Sequence, residues 1–417
     1  MISILVVVNG GNSADKIKDA GYRVLNVGVH PQAINKNWEE IDRFKKFIFV
    51  GLDNDQELKK ILKKVGRWRS FKIDKLPQGK EEIIRAISNA EAVKIAGAVA
   101  LSSIGRYQPD QIEHIPSTIR DLNKIFRGYP LGKLSVLVGG RGAGKSTFAT
   151  QELLAATAAG YTSFIYSSEF CREEVKYWID IQLAGPDFID LVTDDYGNMM
   201  PFVPDEYKKS MENWYRNKIF IFDENEIDAD DPAGLVEIMT EVYKRYNCRF
   251  FVIDNLSAAM YAGEDYKIRD NDFYRKQARF THRLKKFASH YHTHVLLLTH
   301  PRKGSEERYI IDHADQISGG SGIADFADII FSIGRVPEKT KDQLREAGED
   351  AHDTIILELK NRMYGCQDRM VGLQFHVDTK RFYQSEDELY KNYGWNNEAQ
   401  GDQRLKESEC DADNVPF

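Results

Sequence analysis

The chain has 417 residues, enough for two or three domains with ample core. Its 42% hydrophobic and 11% aromatic content is that of an ordinary soluble protein, and no apolar run approaches the ~18 residues that a membrane span needs. Cys171, Cys248, Cys366 and Cys410 lie far apart with no C-x-x-C pair, which argues against a zinc ribbon or a disulfide framework and for a reducing cytoplasm. The net charge of −7 is uneven: residues 386–417 hold nine carboxylates against three cations, so the rest is nearly neutral and a basic groove for nucleic acid is not excluded.

Residues 1–88 read as a small α/β unit. Strands are expected at Ile2–Val8, Arg23–Val27 and Phe47–Leu52, with helices near Asp15–Ala20 and Glu57–Lys64. The first strand carries no basic leader or small-residue cleavage site, so it is not a signal peptide. Asp53-Asn-Asp55 follows a strand, where two carboxylates can hold Mg²⁺ or serve as turn and cap residues. The unit resembles the Toprim metal-binding domain of primases and topoisomerases. That fold pairs a strand-end glutamate with a D-x-D, whereas here the first strand ends Val8-Asn9-Gly10-Gly11. The resemblance therefore implies a degenerate, structural Toprim-like domain rather than an active primase. Residues 89–118 form a connector, with Ala-rich helical sequence over Glu91–Leu101 and then Pro109 and Pro116. It is either a helix that packs on a neighbouring subunit or a plain linker.

From 119 to about 385, strands alternate with helices, which predicts an α/β domain with a mainly parallel sheet. Its centre is Gly139-Gly140-Arg141-Gly142-Ala143-Gly144-Lys145-Ser146, followed by Thr147, set between the apolar run Leu134–Val138 and a helical segment, Thr147–Ala156. A strand, a glycine loop and a helix aim backbone N–H groups and a helix N-terminus at one point, and that point attracts phosphate. Lys145 adds a positive charge on the outer phosphates and Ser146 a hydroxyl for Mg²⁺. Later strands are expected at Ser163–Ser167, Ile219–Phe222, Phe250–Ile253, Val295–Thr299, Ile329–Ile333 and Thr354–Leu359. Ligands of such sheets bind at the carboxyl ends of strands, so the residues ending each strand are candidates.

Phe250–Asp254 has the form of a Walker B strand ending in a metal-binding Asp254, and Ile219–Asp223 has the same form, so pattern alone leaves Asp223 open, as acid or as cap. Glu169 ends the strand after the phosphate-loop helix, where a carboxylate can deprotonate an attacking water or simply face solvent. His300 ends Val295–Thr299 and is either a γ-phosphate sensor or a structural histidine. Lys360 and Arg362 alternate just past a strand, solvated unless another subunit's nucleotide lies opposite.

Gly139–Ser146, Tyr166–Phe170, Phe250–Asn255, Leu297–Arg302, Ile317–Ile330 and Leu357–Gly365 together, in this order and spacing, resemble the core of DnaB-like replicative helicases, which have a RecA-like P-loop NTPase fold. The likeness covers residues 119 to about 385 and is closest to the phage helicase–primase and Twinkle branch. It implies that Lys145 and Ser146 bind phosphate and Mg²⁺, that Glu169 is the catalytic base and that Asp254 is the Walker B acid. It further implies that His300, often Gln in the family, is the γ-phosphate sensor, and that Lys360 and Arg362 act across a subunit interface. The implied assembly is a homo-hexamer or heptamer that hydrolyses ATP or dTTP and threads single-stranded DNA from a forked duplex.

DNA contact is expected at His300–Arg308 and Gln316–Gly322, through Arg302 and Lys303 on phosphates and the small residues Gly319, Gly320 and Ser321. Helix Asn271–His290 spreads cations over its surface and reads first as a solvated basic face, second as a DNA stripe. Residues 386–417 are expected to be an acidic, disordered tail ending in Phe417, either solubilising or, like phage helicase tails, docking on a replicative DNA polymerase. A separate primase is a possible further partner. The reading is a phage-encoded cytoplasmic ring helicase. Its competitors are a RecA/RadA-type recombinase or regulatory ATPase that does not unwind DNA, and an ATP-binding scaffold without motor function.

Overall fold

The computed structural model describes residues 4–8, 11–26, 38–51, 55–95, 97–227, 234–262, 273–302, 309–318, 321–365 and 368–396. The chain forms two compact units, Met1–Gln108 and Pro109–Phe417, dividing inside the expected connector.

The first unit holds β1 (Ile4–Val8), β2 (Arg23–Asn26), β3 (Lys46–Val50), β4 (Ser70–Ile73) and β5 (Glu91–Ala92) in the order β2-β1-β3-β4-β5. The first four are parallel and β5 is antiparallel. Alternation along β1 and β3 sends Leu5, Val7, Phe47 and Phe49 to one face, against Ile61, Leu62 and Val65 of the helix Asp55–Val65. Val6, Val8, Ile48 and Val50 pack on the other face against Ala14, Ile17, Ile83 and Ile87. Asp53 lies outside the described residues, as does the side chain of Asp55.

The helix expected over Glu91–Leu101 is not formed. Glu91–Ala92 pairs with β4, the described residues that follow are irregular, and Leu101–Ser103 is a single 3₁₀ turn. The segment is too short to sustain a helix without an apolar partner, and Ile95, Val99, Leu101, Ile104 and Tyr107 are exposed.

The second unit begins with the short pair β6 (His114–Ile115) and β7 (Tyr129–Pro130), then β8 (Lys133–Val138), β9 (Thr162–Ser167), and the hairpin β10 (Asp190–Thr193) and β11 (Met199–Phe202). It continues with β12 (Ile219–Ile221), β13 (Cys248–Asp254), β14 (His294–Thr299), β15 (Ile329–Arg335), β16 (Thr354–Asn361), β17 (Met370–His376) and β18 (Arg381–Tyr383). Nine of these form one sheet, β12-β9-β13-β14-β8-β15-β16-β17-β18. It is parallel from β12 to β15 and antiparallel from β15 to β18. One face packs on the helices Lys145–Ala158, Arg172–Ala184 and Asp205–Tyr215 through Phe148, Leu153, Ile179 and Met211. The other packs on Leu235–Tyr246 and Phe273–Tyr291 through Met239, Phe280, Leu284 and Phe287. Each strand expected after the phosphate loop is present, and the fold is the expected α/β sheet.

The ordered body runs past residue 385, where the tail was expected to begin. Glu386–Leu389 is a helical turn, Glu388 is buried, and Tyr393 and Trp395 pack into the core beside Phe188 and Tyr207. The Trp395 indole donates to Leu183 O at 3.0 Å. Residues 397–417, Phe417 among them, lie outside the described residues. Among the described residues, no helix is long and apolar enough to cross a membrane.

Candidate nucleotide site

Four parallel strands bring their carboxyl ends to one edge. Thr299 of β14 is level with Val138 of β8, and Asp254 of β13 with Ser167 of β9. The loop Gly139–Gly144 leaves this edge and the helix Lys145–Ala158 begins in it. Two glycines are sterically required: a Cβ on Gly139 would lie 2.5 Å from Ile333 O, and Gly144 has φ +88° with Phe382 Cζ 2.8 Å from its missing Cβ.

Lys145 is buried and its ammonium donates to Gly139 O and Gly140 O, each at 2.9 Å, so it bridges the loop's own carbonyls. Burial lowers its pKa, and the nearby Asp254 and Glu169 carboxylates work against that. Asp254 is 3% exposed. Burial raises its pKa to about 6, against a hydrogen bond from Ser146 that favours the charge. Its Oδ1 has no hydrogen-bond partner. A buried orphan carboxylate oxygen next to a serine hydroxyl fits one flank of Mg²⁺, a cation that takes one or two protein ligands and fills the rest with phosphate and water. No cluster of three His, Cys, Asp or Glu occurs among the described residues, which agrees with so sparse a ligand set.

Glu169 and His300 complete the edge. Glu169 Oε1 accepts from Asn255 Nδ2 at 3.2 Å and lies 3.4 Å from His300 Nε2. His300 Nδ1 is 3.4 Å from Lys145 Nζ. Burial, with Lys145 beside it, lowers the imidazole's pKa, so His300 is neutral at pH 7. Asp223 is elsewhere: it caps the 3₁₀ turn Glu224–Glu226, accepting from Asn225 N at 3.0 Å, and pairs with Arg172. Geometry thus selects Asp254 over Asp223.

The cleft in front has a volume of ≈ 920 Å³. Arg141, Gly142, Ala143, Gly144, Lys145, Ser146 and Thr147 floor it, with Glu169, Asn255 and His300 at one side. Its far wall is the hairpin β17–β18, through Phe375, Lys380 and Phe382, with Arg335 nearby. The sequence reading missed Asn255 and this wall. Asn255 followed the Walker B aspartate directly, whereas the wall depends on residues distant in sequence.

The family model for the DnaB-like helicase C-terminal domain matches residues 114–384. The chain belongs to the DnaB-like helicase family. Among solved structures, one entitled the structure of a DnaB-like replicative helicase and its interactions with primase matches with a TM-score of 0.51 at 16% identity, covering 90% of this chain and 76% of that one. A second solved structure, of an isolated ATPase domain, matches with a TM-score of 0.48 at 18% identity, covering 66% of this chain and 92% of that one. No curated protein matches the chain in sequence.

In this DnaB-like chain, Lys360 and Arg362 lie toward the other edge of the sheet. Asn361 pairs with Ile329, which is level with Ser135 near the start of β8, about 13 Å of strand away from the phosphate loop. The Arg362 N–H donates to Asp328 O at 2.9 Å, its side chain is exposed, and the Lys360 ammonium donates to Ala324 O. Of the expected DNA-contact residues, Arg302 is exposed and Ser321 opens the helix Ser321–Phe326. Lys303, Gly319 and Gly320 lie outside the described residues, as does the Ser321 side chain.

Proposed function

We propose that this member of the DnaB-like family is a ring helicase that hydrolyses ATP or dTTP between subunits, translocates on single-stranded DNA and unwinds a forked duplex. One observation carries the reading: Lys145, Asp254, Glu169 and His300 converge at one sheet edge, while Lys360 and Arg362 sit toward the opposite one. A cation placed there cannot serve its own phosphate loop, so it serves a neighbour's, in a hexamer or heptamer. Exposed Leu191, Val192, Met199 and Met200 on the β10–β11 hairpin, and Val99 and Leu101 in the connector, supply apolar surface for such neighbours.

In the proposed chemistry, Lys145 leaves the Gly139 and Gly140 carbonyls for the outer phosphates. Ser146 and Asp254 hold Mg²⁺, which when bound neutralises phosphate charge. Glu169, fixed by Asn255, takes the proton of the attacking water. His300, neutral and within reach of both Lys145 and Glu169, registers the γ-phosphate and passes its loss to the segment that begins at Pro301 and Arg302. Arg302, Lys303, Gly319, Gly320 and Ser321 grip the DNA backbone in this reading. The front unit is a degenerate Toprim-like domain, supported by its parallel strands and by a first strand followed by Asn9 instead of glutamate. A cytoplasmic, phage-type replication setting, a separate primase and a polymerase docked by Phe417 complete the proposal.

The test mixes two inactive variants. Lys145→Ala and Arg362→Ala should each lose at least ~10³-fold in turnover. Mixed in equal amounts under assembling conditions, they should recover turnover well above either alone, because about a quarter of interfaces then join an intact Lys145 to an intact Arg362. No recovery would sink the trans arrangement. Strand displacement on a forked duplex then separates helicase from recombinase.

A further inference from the structure

The helix Phe273–Tyr291 carries Arg275, Lys276, Arg279, Arg283, Lys285 and Lys286, and no Asp or Glu. Such a helix is poorly designed for its own stability. Cations at i and i+4 repel, and Arg275 and Lys276 occupy the first turn, where the helix dipole disfavours positive charge. Lys285 alone turns inward, to the buried Asp328.

The fold sorts the rest onto one line. Gln277, Phe280, Thr281, Leu284, Phe287 and Ala288 are buried against the sheet. Arg275, Arg279, Arg283 and Lys286 are exposed. At ~100° per residue these four fall within a wedge of about 80°, and they span about 17 Å of helix axis. That is the reach of several phosphates of one strand at ~3.4 Å axial rise. Tyr274 at the head of the stripe is 65% exposed and offers a ring face beside the cations, which suits stacking on a base.

The stripe also begins in the right place. The helix starts directly after residues 263–272, the segment that follows the Asp254 strand and the short helix Leu256–Ala259. The helix Ser321–Phe326, which closes the glycine–serine segment, packs on its N-terminal half. Gly322 lies so close to Ala278 that a Cβ would meet the Ala278 Cβ at 2.8 Å, and Phe326 stacks on His282 at 4.6 Å between ring centroids. The ends of both segments therefore return to the fold beside Arg275 and Arg279.

We propose that Arg275, Arg279, Arg283 and Lys286 form a second DNA contact, a track that binds the phosphate backbone of the single strand next to the Arg302 loop. The inference rests on the DNA-motor reading but concerns different residues. Contact runs through phosphate, so it is insensitive to base sequence and strongly salt-dependent.

The experiment measures binding of a labelled oligo-dT by fluorescence anisotropy over a range of salt. It compares the wild type, a stripe variant (R275Q/R279Q/R283Q/K286Q) and a loop variant (R302A/K303A). The stripe variant should lose at least tenfold in affinity at low salt, and its slope of log K against log salt should flatten by about 3. Its melting temperature and its DNA-independent nucleotide hydrolysis should match the wild type. Unchanged affinity and slope overturn the track. If only the loop variant is impaired, the track fails and the DNA-motor reading stands; if neither is impaired, both fail. A stripe variant that no longer assembles with nucleotide in sedimentation velocity assigns these cations to a subunit contact and likewise overturns the proposal.

Discussion

Burial governs the protonation of Glu152, a fully enclosed carboxyl on the phosphate-loop helix. Desolvation raises its pKa to about 7, and the hydroxyls of Ser117 and Tyr129 and the Thr118 N–H only partly offset that. Its Oε2 has no hydrogen-bond partner. The folded state thus holds a proton that the unfolded chain releases near the ordinary glutamate value of 4.5. Between these values the native state binds more protons than the unfolded one, so stability falls as pH rises through the window from 4.5 to about 7. The loss is of order 3 kcal/mol. Glu152→Gln should flatten this dependence, melting higher than the wild type at pH 8 and close to it at pH 4.5. Thermal melts across that range check it, and superimposable curves for the two proteins would sink the idea.

The hairpin β17–β18 owes its place at the cleft to two buried amides. Gln151 accepts from Phe382 N at 2.7 Å and donates to Phe382 O at 2.8 Å, while Gln182 donates to both Thr147 O and Lys380 O at 2.8 Å. Lys380 and Phe382 therefore move with the phosphate-loop helix. Gln151→Leu should strand both Phe382 backbone groups, costing about 3 kcal/mol of stability. It should also raise KM for the nucleoside triphosphate far more than it lowers kcat, with tripolyphosphate binding unchanged. Steady-state kinetics and a tripolyphosphate titration decide this; a pure kcat loss contradicts the role. Nothing in the sequence announces the latch, because Gln151 and Phe382 are 231 residues apart. The strands β8, β9, β13 and β14 were legible for the opposite reason: each is an apolar run whose chemistry sits within a few residues of its end. The connector misled because Ala-rich sequence reports helix propensity, and propensity without a packing partner is weak.

At the scale of the molecule, the end of the second unit is set by contacts that local composition does not reveal. Asn392–Asn396 looks polar, yet Tyr393 and Trp395 enter the core, and Arg381, 1% exposed, depends on the segment for its acceptors. The guanidinium donates to Gln182 O at 2.7 Å, Leu183 O at 3.2 Å, Leu389 O at 2.5 Å and Lys391 O at 3.0 Å. Burial lowers its pKa, and with no carboxylate bonded to it the four carbonyls compensate the charge. Glu388 accepts from Arg120 N at 2.7 Å and Gln384 N at 2.7 Å, tying the segment to the start of the unit as well. Two truncations separate body from tail. A chain ending at Asn396 should melt like the full protein and keep nucleotide hydrolysis. One ending at Ser385 strips Arg381 of two acceptors and uncovers Phe188 and Tyr207, and should lose several kcal/mol, enough to lower the yield of soluble protein. Calorimetry of the two chains checks the boundary. Equal stability would mean that the buried guanidinium finds other partners and that the ordered body ends where the strand–helix rhythm does.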